Sequence, residues 1–409
     1  MKAKHDVIPP FEQRNNELVV GGLTTTQIKQ MLGSTPFYAY DRKLLSDKVT
    51  QLKSALPESI SLHYAVKANP YPPLVNFMKP LVDGFDVASK KEMLLAIQSG
   101  MPPEEISFAG PGKTEDDISA SIIAGITLHA ESATEISRAT KLGKSLGIKP
   151  NIAIRVNPAF ELKASGMKMA GGAKPFGIDQ ELLPDIIGQM DFDSVKFRGF
   201  HIFAGSQNLN IDAIIEMHQK TFALAEELVA MTPVNIDYVN IGGGLGIPYF
   251  PGEKRIQLEE ISDNLAQLIA RHKGLAGIEL IMELGRYFVG EAGVYICEVV
   301  DIKESRGTQY AVCDGGLHHH LSNSGNFGQV IRKNYPVAVA NKLEVEEEHL
   351  TKTNVVGPLC TPLDIIADKM MLPTIEIGDL IAVFQSGAYG ASASPQNFLS
   401  QPELKEILL

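Results

Sequence analysis

The sequence predicts an α/β protein in which a (β/α)8 barrel of the TIM type is joined to a second, mostly β, C-terminal domain. From about residue 36 to residue 284, short apolar runs alternate with longer stretches of helical periodicity. After residue 285 the alternation stops, and the apolar runs are separated by loops with little helical pattern. We therefore expect a barrel over residues 36–284 and a β-rich domain made of residues 1–35 and 285–409.

The barrel region contains short strand-like segments, which read FYAYD, SLHYAVKAN, GFDVAS, EISFAGP, ITLHAES, NIAIRVNP, FRGFHIFAGS, YVNIGGG and LIMELGR. Helical segments such as KLLSDKVTQLKSAL and KKEMLLAIQSG lie between them. Strands that alternate with helices form parallel sheets, and about eight such units suit a closed barrel of roughly 250 residues. A doubly wound open sheet is the second possibility. The N-terminal run ELVVGG is expected to join the β-rich domain.

Composition and charge limit the classes of function. The 409 residues carry a formal net charge of −11, which disfavours a nucleic-acid or membrane-surface partner. No run approaches 18 apolar residues, and the start MKAKHDVIPPFEQ lacks the apolar core of a signal peptide. The three cysteines, Cys297, Cys313 and Cys360, form no CxxC pair, so we expect no zinc site. A cytoplasmic protein is the expectation.

Chemically useful residues cluster at or near the ends of the predicted strands. In a barrel of this type, the C-terminal strand ends carry the functional groups. These residues are Lys67, Asp86, Arg155, Asn157, His201, Ser206, the glycines 242–244, Glu283 and Arg286. A single lysine or glycine turn at a strand end is commonplace, and it is their joint occurrence that points to a site.

These residue types fit the chemistry of pyridoxal 5′-phosphate (PLP). A lysine amine forms a Schiff base with the aldehyde of that cofactor. Consecutive glycines let backbone N–H groups close around a phosphate, and an arginine adds a permanent donor fork. A carboxylate beside the pyridine nitrogen keeps the ring protonated, so that the ring can accept electrons.

The chain resembles the fold-type III PLP decarboxylases, the family of ornithine, diaminopimelate and related decarboxylases. The matching segments occur in the family's order: AVKAN (65–69), FDVASKKE (85–92), RVNP (155–158), GSQ (205–207), GGGLG (242–246), ELGRYFV (283–289), GPLCTPLD (357–364) and GAYG (387–390). The resemblance implies a PLP-dependent carboxy-lyase that decarboxylates an amino acid. It also implies a head-to-tail homodimer with shared active sites.

The resemblance assigns roles residue by residue. Lys67 takes the role of the Schiff-base lysine, and Glu283 that of the partner of the pyridinium nitrogen. Asp86 and Arg155 would support the lysine and the ring. Cys360, supplied by the neighbouring subunit, would return a proton after CO₂ leaves; a buried apolar cysteine is the other interpretation. The phosphate site would consist of Ser206, Gly242, Gly243, Gly244, Arg286 and Tyr389.

The sequence departs from its relatives above the cofactor ring. Relatives place a histidine two residues before the Gly-Ser pair, where this chain has Phe203. A phenylalanine can stack on the ring but cannot donate a hydrogen bond. His201 lies two residues earlier on the same strand face. It either compensates for the missing histidine or is a packed core residue, and the sequence leaves both readings open.

A second departure concerns the substrate. Thr361 follows the cysteine where diaminopimelate and ornithine decarboxylases have glutamate or aspartate, and DGGLHHHLSNSGNFGQVIRKNYP replaces their Arg-Pro-x-x-Tyr run. Adjacent histidines on a strand would point to opposite faces and share no ion, so we expect no metal there. Candidate substrate contacts are Thr361, Asp364, His318 and Arg332.

The sequence of these substituted segments resembles that of the subgroup of exosortase-associated or carrier-protein-linked PLP decarboxylases. The resemblance implies an amino-acid substrate that is either free or tethered to a carrier protein or CoA. Three alternatives remain: a diaminopimelate decarboxylase proper, an alanine-racemase-like enzyme, and an inactive paralogue that binds a partner protein. The presence of Lys67, Glu283 and Cys360 disfavours the last of these.

Overall fold

A computed structural model describes residue 5 and residues 11–161, 167–168, 171–329 and 332–409, with the backbone alone for residues 167–168. The chain divides into two compact units. The barrel unit consists of residues 48–247 and 255–287. The β-rich unit consists of residues up to Asp47, of 248–254 and of 288–409.

The barrel unit is built on eight parallel strands whose spatial order is their order in the chain. They are Ile60–Ala65, Gly84–Val87, Ile106–Phe108, Thr127–Ala130, Asn151–Asn157, Lys196–Ile202, Tyr238–Asn240 and Glu279–Leu284. The eighth strand pairs with the first, and the fourth with the fifth, so the sheet closes on itself. The predicted barrel is confirmed, and the open doubly wound sheet is excluded.

Helices precede the first barrel strand, connect the successive strands and follow the eighth. They are Arg42–Ala55, Pro72–Met78, Lys90–Gln98, Glu115–Ala124, Ala133–Leu146, Leu183–Gln189, Ile211–Met231, Leu258–Arg271 and Arg286–Val289. Side-chain caps fix several of their starts: Ser89 accepts from the Glu92 N–H, and Thr114 forms a capping box with Asp117. Within the described ranges, no helix is both long enough and apolar enough to cross a bilayer.

The β-rich unit contains a mostly antiparallel sheet. Six of its strands follow one another in the order Val337–Val339, Leu380–Val383, Gly293–Ser305, Thr308–Cys313, Leu350–Val356 and Ile365–Pro373. The N-terminal strands Glu12–Arg14, Glu17–Val20 and Leu23–Thr24 form a small sheet, which the helix Thr25–Leu32 follows. Leu18 and Val20 pack in one core with Val294 and Leu380.

One strand differs from the expectation. The run FYAYD was grouped with the barrel strands, but Phe37–Tyr40 pairs with Gly293–Ser305 and with the C-terminal strand Lys405–Leu408. All four of its residues are buried. A fully buried strand has the same apolar pattern in either sheet, so its sequence does not reveal which sheet it joins.

Candidate active site

Lys67 lies directly after the first barrel strand, in the short 3-10 helix Val66–Ala68. Its neighbours Val66 and Ala68 are buried, whereas the Lys67 side chain is exposed. The Lys67 ammonium lies 5.7 Å from the centre of the Phe203 ring. The structure therefore brings together the candidate cofactor lysine and the aromatic residue that replaces the relatives' histidine.

Glu283 is the buried acid at the end of the eighth strand, with a residue exposure of 6%. His201 Nε2 lies 3.3 Å from Glu283 Oε2, and the Asn240 amide donates to the same oxygen at 3.2 Å. Burial raises the pKa of Glu283, but His201, Lys67 and Arg155 outweigh it, so that the net pKa lies well below the usual range. The carboxylate is therefore held ionised in a buried position.

The glycines 242–244 follow the seventh strand and form a tight turn against its neighbours. Gly242 and Gly244 have φ of +72° and +81°, a backbone region that favours glycine. A Cβ on Gly243 would lie 1.9 Å from the Glu283 carbonyl oxygen. Asn240 joins the turn to the acid, because its side chain accepts from the Gly242 N–H at 2.8 Å. The Glu283 N–H donates to the Gly242 carbonyl oxygen at 3.0 Å, so the turn is also joined to the backbone of the eighth strand.

Ser206 follows the sixth barrel strand and Arg286 follows the eighth. Ser206 belongs to the two-residue strand Gly205–Ser206, which pairs with the backbone of Met167–Lys168. Arg286 is the first residue of the helix Arg286–Val289 and is half-buried. Their assignment to a phosphate site stays a prediction, as does that of Tyr389, which lies in the β-rich unit with φ of +51°.

Arg155 forms an ion pair with Glu131, an acid that the sequence analysis did not identify. The Arg155 guanidinium donates to Glu131 Oε1 at 2.9 Å, and both side chains are buried. Glu131 also accepts from the Gly177 N–H at 3.0 Å. Burial raises the pKa of Glu131, yet the cations of Arg155 and Lys113 outweigh it and lower the pKa overall. Glu131 was identifiable as a carboxylate directly after the strand in ITLHAES.

Asp86 lies in the second strand, and its carboxylate contacts side chains on the two neighbouring strands. It accepts a hydrogen bond from the Ser107 hydroxyl, and its carboxylate lies 3.7 Å from His63 Nδ1. Burial lowers the pKa of His63, but the Asp86 carboxylate outweighs burial, and the net pKa is raised. The expected role of Asp86 beside Lys67 stays a prediction.

The candidate substrate residues lie in the β-rich unit, where two of them are committed to the backbone. Asp364 is 2% exposed and accepts from the N–H groups of Leu317 (2.6 Å) and Leu359 (2.8 Å). Arg332 donates to the carbonyl oxygens of three residues. These are Ser324, Ile365 and Ile366, at 3.2, 3.3 and 3.1 Å respectively. Cys360 is exposed and Thr361 is half-buried on the neighbouring loop.

The three consecutive histidines lie in a turn, so the strand on which we based their geometry is wrong. All three are buried. His319 Nε2 lies 3.3 Å from the Pro402 carbonyl oxygen, and His320 Nε2 lies 2.8 Å from the Ser386 hydroxyl. Burial lowers the pKa of His318 and His319 to about 4 and that of His320 to about 3.

Two further residues that the sequence analysis missed lie in the barrel interior. His129 on the fourth strand and Tyr238 on the seventh are buried and hydrogen-bonded to each other at 2.7 Å. A histidine near the end of a predicted barrel strand was the available signal in ITLHAES. An inward orientation could not be assigned without the closed sheet.

The residues of the barrel unit fit PLP. An exposed amine stands at a strand end, a buried ionised carboxylate lies nearby, and a glycine turn is linked to that carboxylate through Asn240. This donor set can hold an aldehyde, a protonated ring nitrogen and a phosphate. Fold and site together define a barrel-type enzyme of PLP chemistry.

Comparison with known proteins gives the family. Residues 42–290 match the family described as "Pyridoxal-dependent decarboxylase, pyridoxal binding domain". The L-glutamyl-[BtrI acyl-carrier protein] decarboxylase of Niallia circulans is 34% identical over 91% of this chain and 88% of its own length. The diaminopimelate decarboxylase of Aquifex aeolicus is 31% identical over 98% and 92%.

A solved structure agrees with this likeness. The diaminopimelate decarboxylase of M. jannaschii in complex with L-lysine superimposes with a TM-score of 0.87 at 26% identity, covering 97% of this chain and 92% of that one. The chain therefore belongs to the pyridoxal-dependent decarboxylases. It is a PLP-dependent amino-acid decarboxylase.

Proposed function

We propose that this enzyme decarboxylates an amino acid whose distal end is uncharged, because that end is an amide or a thioester to a carrier protein or CoA. The observation that carries the proposal is the engagement of Arg332 and Asp364 by backbone groups. These are the two charged candidates for recognising a distal carboxylate and a distal ammonium. Both would have to leave their buried partners to serve that purpose, at a cost of about 1–3 kcal/mol per lost partner.

The character of the surrounding residues supports the same substrate class. Thr361 offers a hydroxyl in place of the acid found in relatives, and His318 is held neutral by burial. A charged distal group needs a partner of opposite charge, since an unpaired buried charge is costly. An amide or thioester needs only hydrogen bonds. The relative from Niallia circulans, whose name states a carrier-protein-linked glutamyl group, supports the proposal independently.

In the proposed reaction the barrel residues hold the cofactor. Lys67 would hold the aldehyde end of the cofactor, the Glu283 carboxylate would accept a hydrogen bond from the protonated ring nitrogen, and Phe203 would contact the ring. The phosphate would be held by Ser206, the turn at 242–244, Arg286 and Tyr389. Asp86 and Arg155 would support the lysine and the ring. When bound, PLP supplies the electron sink for the electrons released as CO₂ departs.

Proton return is assigned to Cys360 of a partner subunit. The Cys360 side chain is exposed on its loop, which leaves its thiol accessible to a second chain. We propose a homodimer in which each cysteine completes the site of the other subunit. The thiol then gives its proton to the carbon that lost CO₂ and recovers a proton from solvent.

The test is a steady-state comparison of substrates, scored by CO₂ release. We expect glutamyl thioesters of a carrier protein or CoA to be turned over well, and meso-diaminopimelate, ornithine, lysine and arginine poorly. Efficient turnover of diaminopimelate, at about 10⁴ M⁻¹s⁻¹ or above, would contradict the proposal. Loss of substrate chirality without CO₂ release would instead indicate racemisation.

A further inference from the structure

Two loop segments of the candidate phosphate site continue from neighbouring barrel strands. The sixth and seventh strands pair with each other as far as His201 and Asn240. Beyond these two residues the chain runs into residues 205–208 on one side and residues 242–247 on the other. Because the pairing of the two strands has ended there, other contacts must set the distance between the segments.

The Gln207 side chain makes two hydrogen bonds to one residue of the other segment. Its Nε2 donates to the Ile247 carbonyl oxygen at 2.6 Å, and its Oε1 accepts from the Ile247 N–H at 3.2 Å. A carboxamide carries a donor and an acceptor side by side. It therefore pairs with the backbone of Ile247 as the backbone of an adjacent strand would.

Backbone contacts continue the connection between the two segments. The Asn208 N–H donates to the Gly244 carbonyl oxygen at 2.9 Å, and the Gly246 N–H donates to the Asn208 carbonyl oxygen at 2.9 Å. A Cβ on Gly244 would lie 2.8 Å from the Gly205 carbonyl oxygen. The two segments thus pack backbone against backbone, with no room for a side chain between them.

The backbone of Gln207 is held in an uncommon conformation. Its φ is +56°, in a region that residues other than glycine seldom adopt. Such a conformation persists where the surrounding structure holds it, and it occurs often at ligand sites. With this backbone, the Gln207 side chain reaches Ile247 while the next residue, Asn208, reaches Gly244. Ser206 is thereby joined to the glycine turn through its immediate neighbour.

We propose that Gln207 is a positioning residue of the phosphate site, whose side-chain amide fixes the distance between Ser206 and the glycine turn 242–244. A phosphate takes donors at about 3 Å, and here the donors come from two segments, so a shift of one segment weakens the contacts of both. This inference rests on the proposed function for the assignment of Ser206 and the turn to the phosphate. It gives a role to the glutamine of the GSQ segment, which the resemblance left unassigned.

The first test compares the binding of PLP and of pyridoxal to the protein freed of cofactor. Pyridoxal has the same ring and aldehyde but no phosphate. Gln207→Met keeps an unbranched side chain of similar length and removes both hydrogen bonds. We expect the Kd of PLP to rise about tenfold, the worth of one or two hydrogen bonds, and the Kd of pyridoxal to stay near the wild-type value. Equal rises for the two ligands would show a general loosening of the barrel and refute the inference.

The second test reads the phosphate directly, by ³¹P NMR of bound PLP at pH 7. A mere loss of stability does not move this signal, whereas a change in the donors around the phosphate does. In Gln207→Met the signal should move toward that of free PLP, and an unchanged signal would overturn the inference. If Gln207→Met does not fold, Gln207→Asn takes its place. That variant keeps the amide but is one methylene group too short to reach both groups of Ile247, and a wild-type preference for PLP in it would refute the positioning role.

A matched control removes another side-chain amide that binds the backbone. Asn151 is the first residue of the fifth barrel strand, and its side chain donates to the Gly125 carbonyl oxygen at 2.8 Å. It lies at the end of the barrel where the strands begin, away from the functional strand ends. Asn151→Leu should leave the preference for PLP over pyridoxal unchanged. A loss as large as that of Gln207→Met would show that the effect is not specific to the phosphate site.

Ser206→Ala separates the inference from the proposed function. If Ser206→Ala lowers the preference for PLP over pyridoxal and Gln207→Met does not, the positioning role fails and the phosphate assignment stands. If neither variant lowers it, the assignment of these strand ends to the phosphate fails as well. The substrate comparison scored by CO₂ release uses the wild type, so its result is independent of both outcomes.

Discussion

The Lys67 ammonium lies 5.7 Å from the centre of the Phe203 ring, which places the candidate cofactor lysine beside an aromatic face. In relatives that resemble this chain a histidine stands at that position. Here the nearby histidine is His201, whose Nε2 lies 3.3 Å from the carboxylate of Glu283. The lysine, the aromatic ring and the acid therefore lie at the ends of three different barrel strands, the first, the sixth and the eighth.

Replacing this lysine gives the first prediction. Lys67→Ala should abolish turnover and remove the absorption band of the bound cofactor, because no other amine would hold PLP at this strand end. Borohydride reduction of the wild type followed by peptide mapping checks the attachment point. Lys141→Ala, on the exposed face of the helix Ala133–Leu146, is the control and should behave as wild type. A label on a lysine other than 67 would end the assignment.

The second prediction concerns the buried acid. Glu283→Gln keeps the shape of the side chain but removes its charge, so PLP should remain bound while kcat falls by about 10²-fold or more, as for loss of one preorganised electrostatic contact. Glu279→Gln is a matched control on the same strand, since Glu279 is exposed. Steady-state kinetics and cofactor titration measure the two effects. Wild-type turnover in Glu283→Gln would refute its role.

The third prediction concerns assembly. If Cys360 acts on the site of the partner subunit, mixing Lys67→Ala with Cys360→Ala subunits should restore one intact site per mixed dimer. Activity after subunit exchange, verified by a tag on one variant, is the measurement. At equal mixing about half of the dimers should be mixed, so that about a quarter of wild-type activity returns. No recovery after verified exchange would count against a shared site.

The fourth prediction tests whether Arg332 stabilises the fold or binds the substrate. Its guanidinium donates hydrogen bonds to three backbone carbonyl oxygens of its own unit. Arg332→Met should therefore lower the free energy of unfolding by about 1–3 kcal/mol, while KM for the preferred substrate stays near the wild-type value. Chemical denaturation and kinetics measure the two. A large rise in KM without loss of stability would show that Arg332 binds substrate.

The fifth prediction concerns the stability of the fold at acidic pH. An unfolded histidine has a pKa near 6.5, whereas His318 and His319 have folded pKa values of about 4 and His320 about 3. Below pH ~6.5 the unfolded chain binds more protons than the folded one, so stability is lost as pH falls from there toward 4. Each histidine contributes on the order of 1 kcal/mol per pH unit in that window.

Urea unfolding between pH 7.5 and 5 measures this slope. His318→Leu should flatten it, because His318 is buried and neither ring nitrogen has a hydrogen-bond partner among the described residues. His349→Leu, at an exposed histidine, is the control and should leave the slope unchanged. A slope that is the same in His318→Leu and the wild type would contradict the assignment of acid sensitivity to the histidine turn.

The sequence by itself determined the alternation of strands and helices, the closed barrel and the order of the strand-end motifs. It did so because apolar periodicity and turn residues are local properties, and because strand ends of a parallel barrel always meet at one edge. Lys67, Glu283 and the glycine turn were predicted in this way. The family, too, was indicated by motifs that can be read along the chain.

Only the tertiary structure decided which side chains meet inside the barrel and which sheet a buried strand joins. The strand Phe37–Tyr40 pairs with a strand of the β-rich unit and not with the barrel strands, and the histidines 318–320 lie in a turn. Arg332 and Asp364 proved to be bound to the backbone, and His129, 72 residues before His201, became its partner. These contacts join residues far apart in sequence, and local pattern carries no information about such distances.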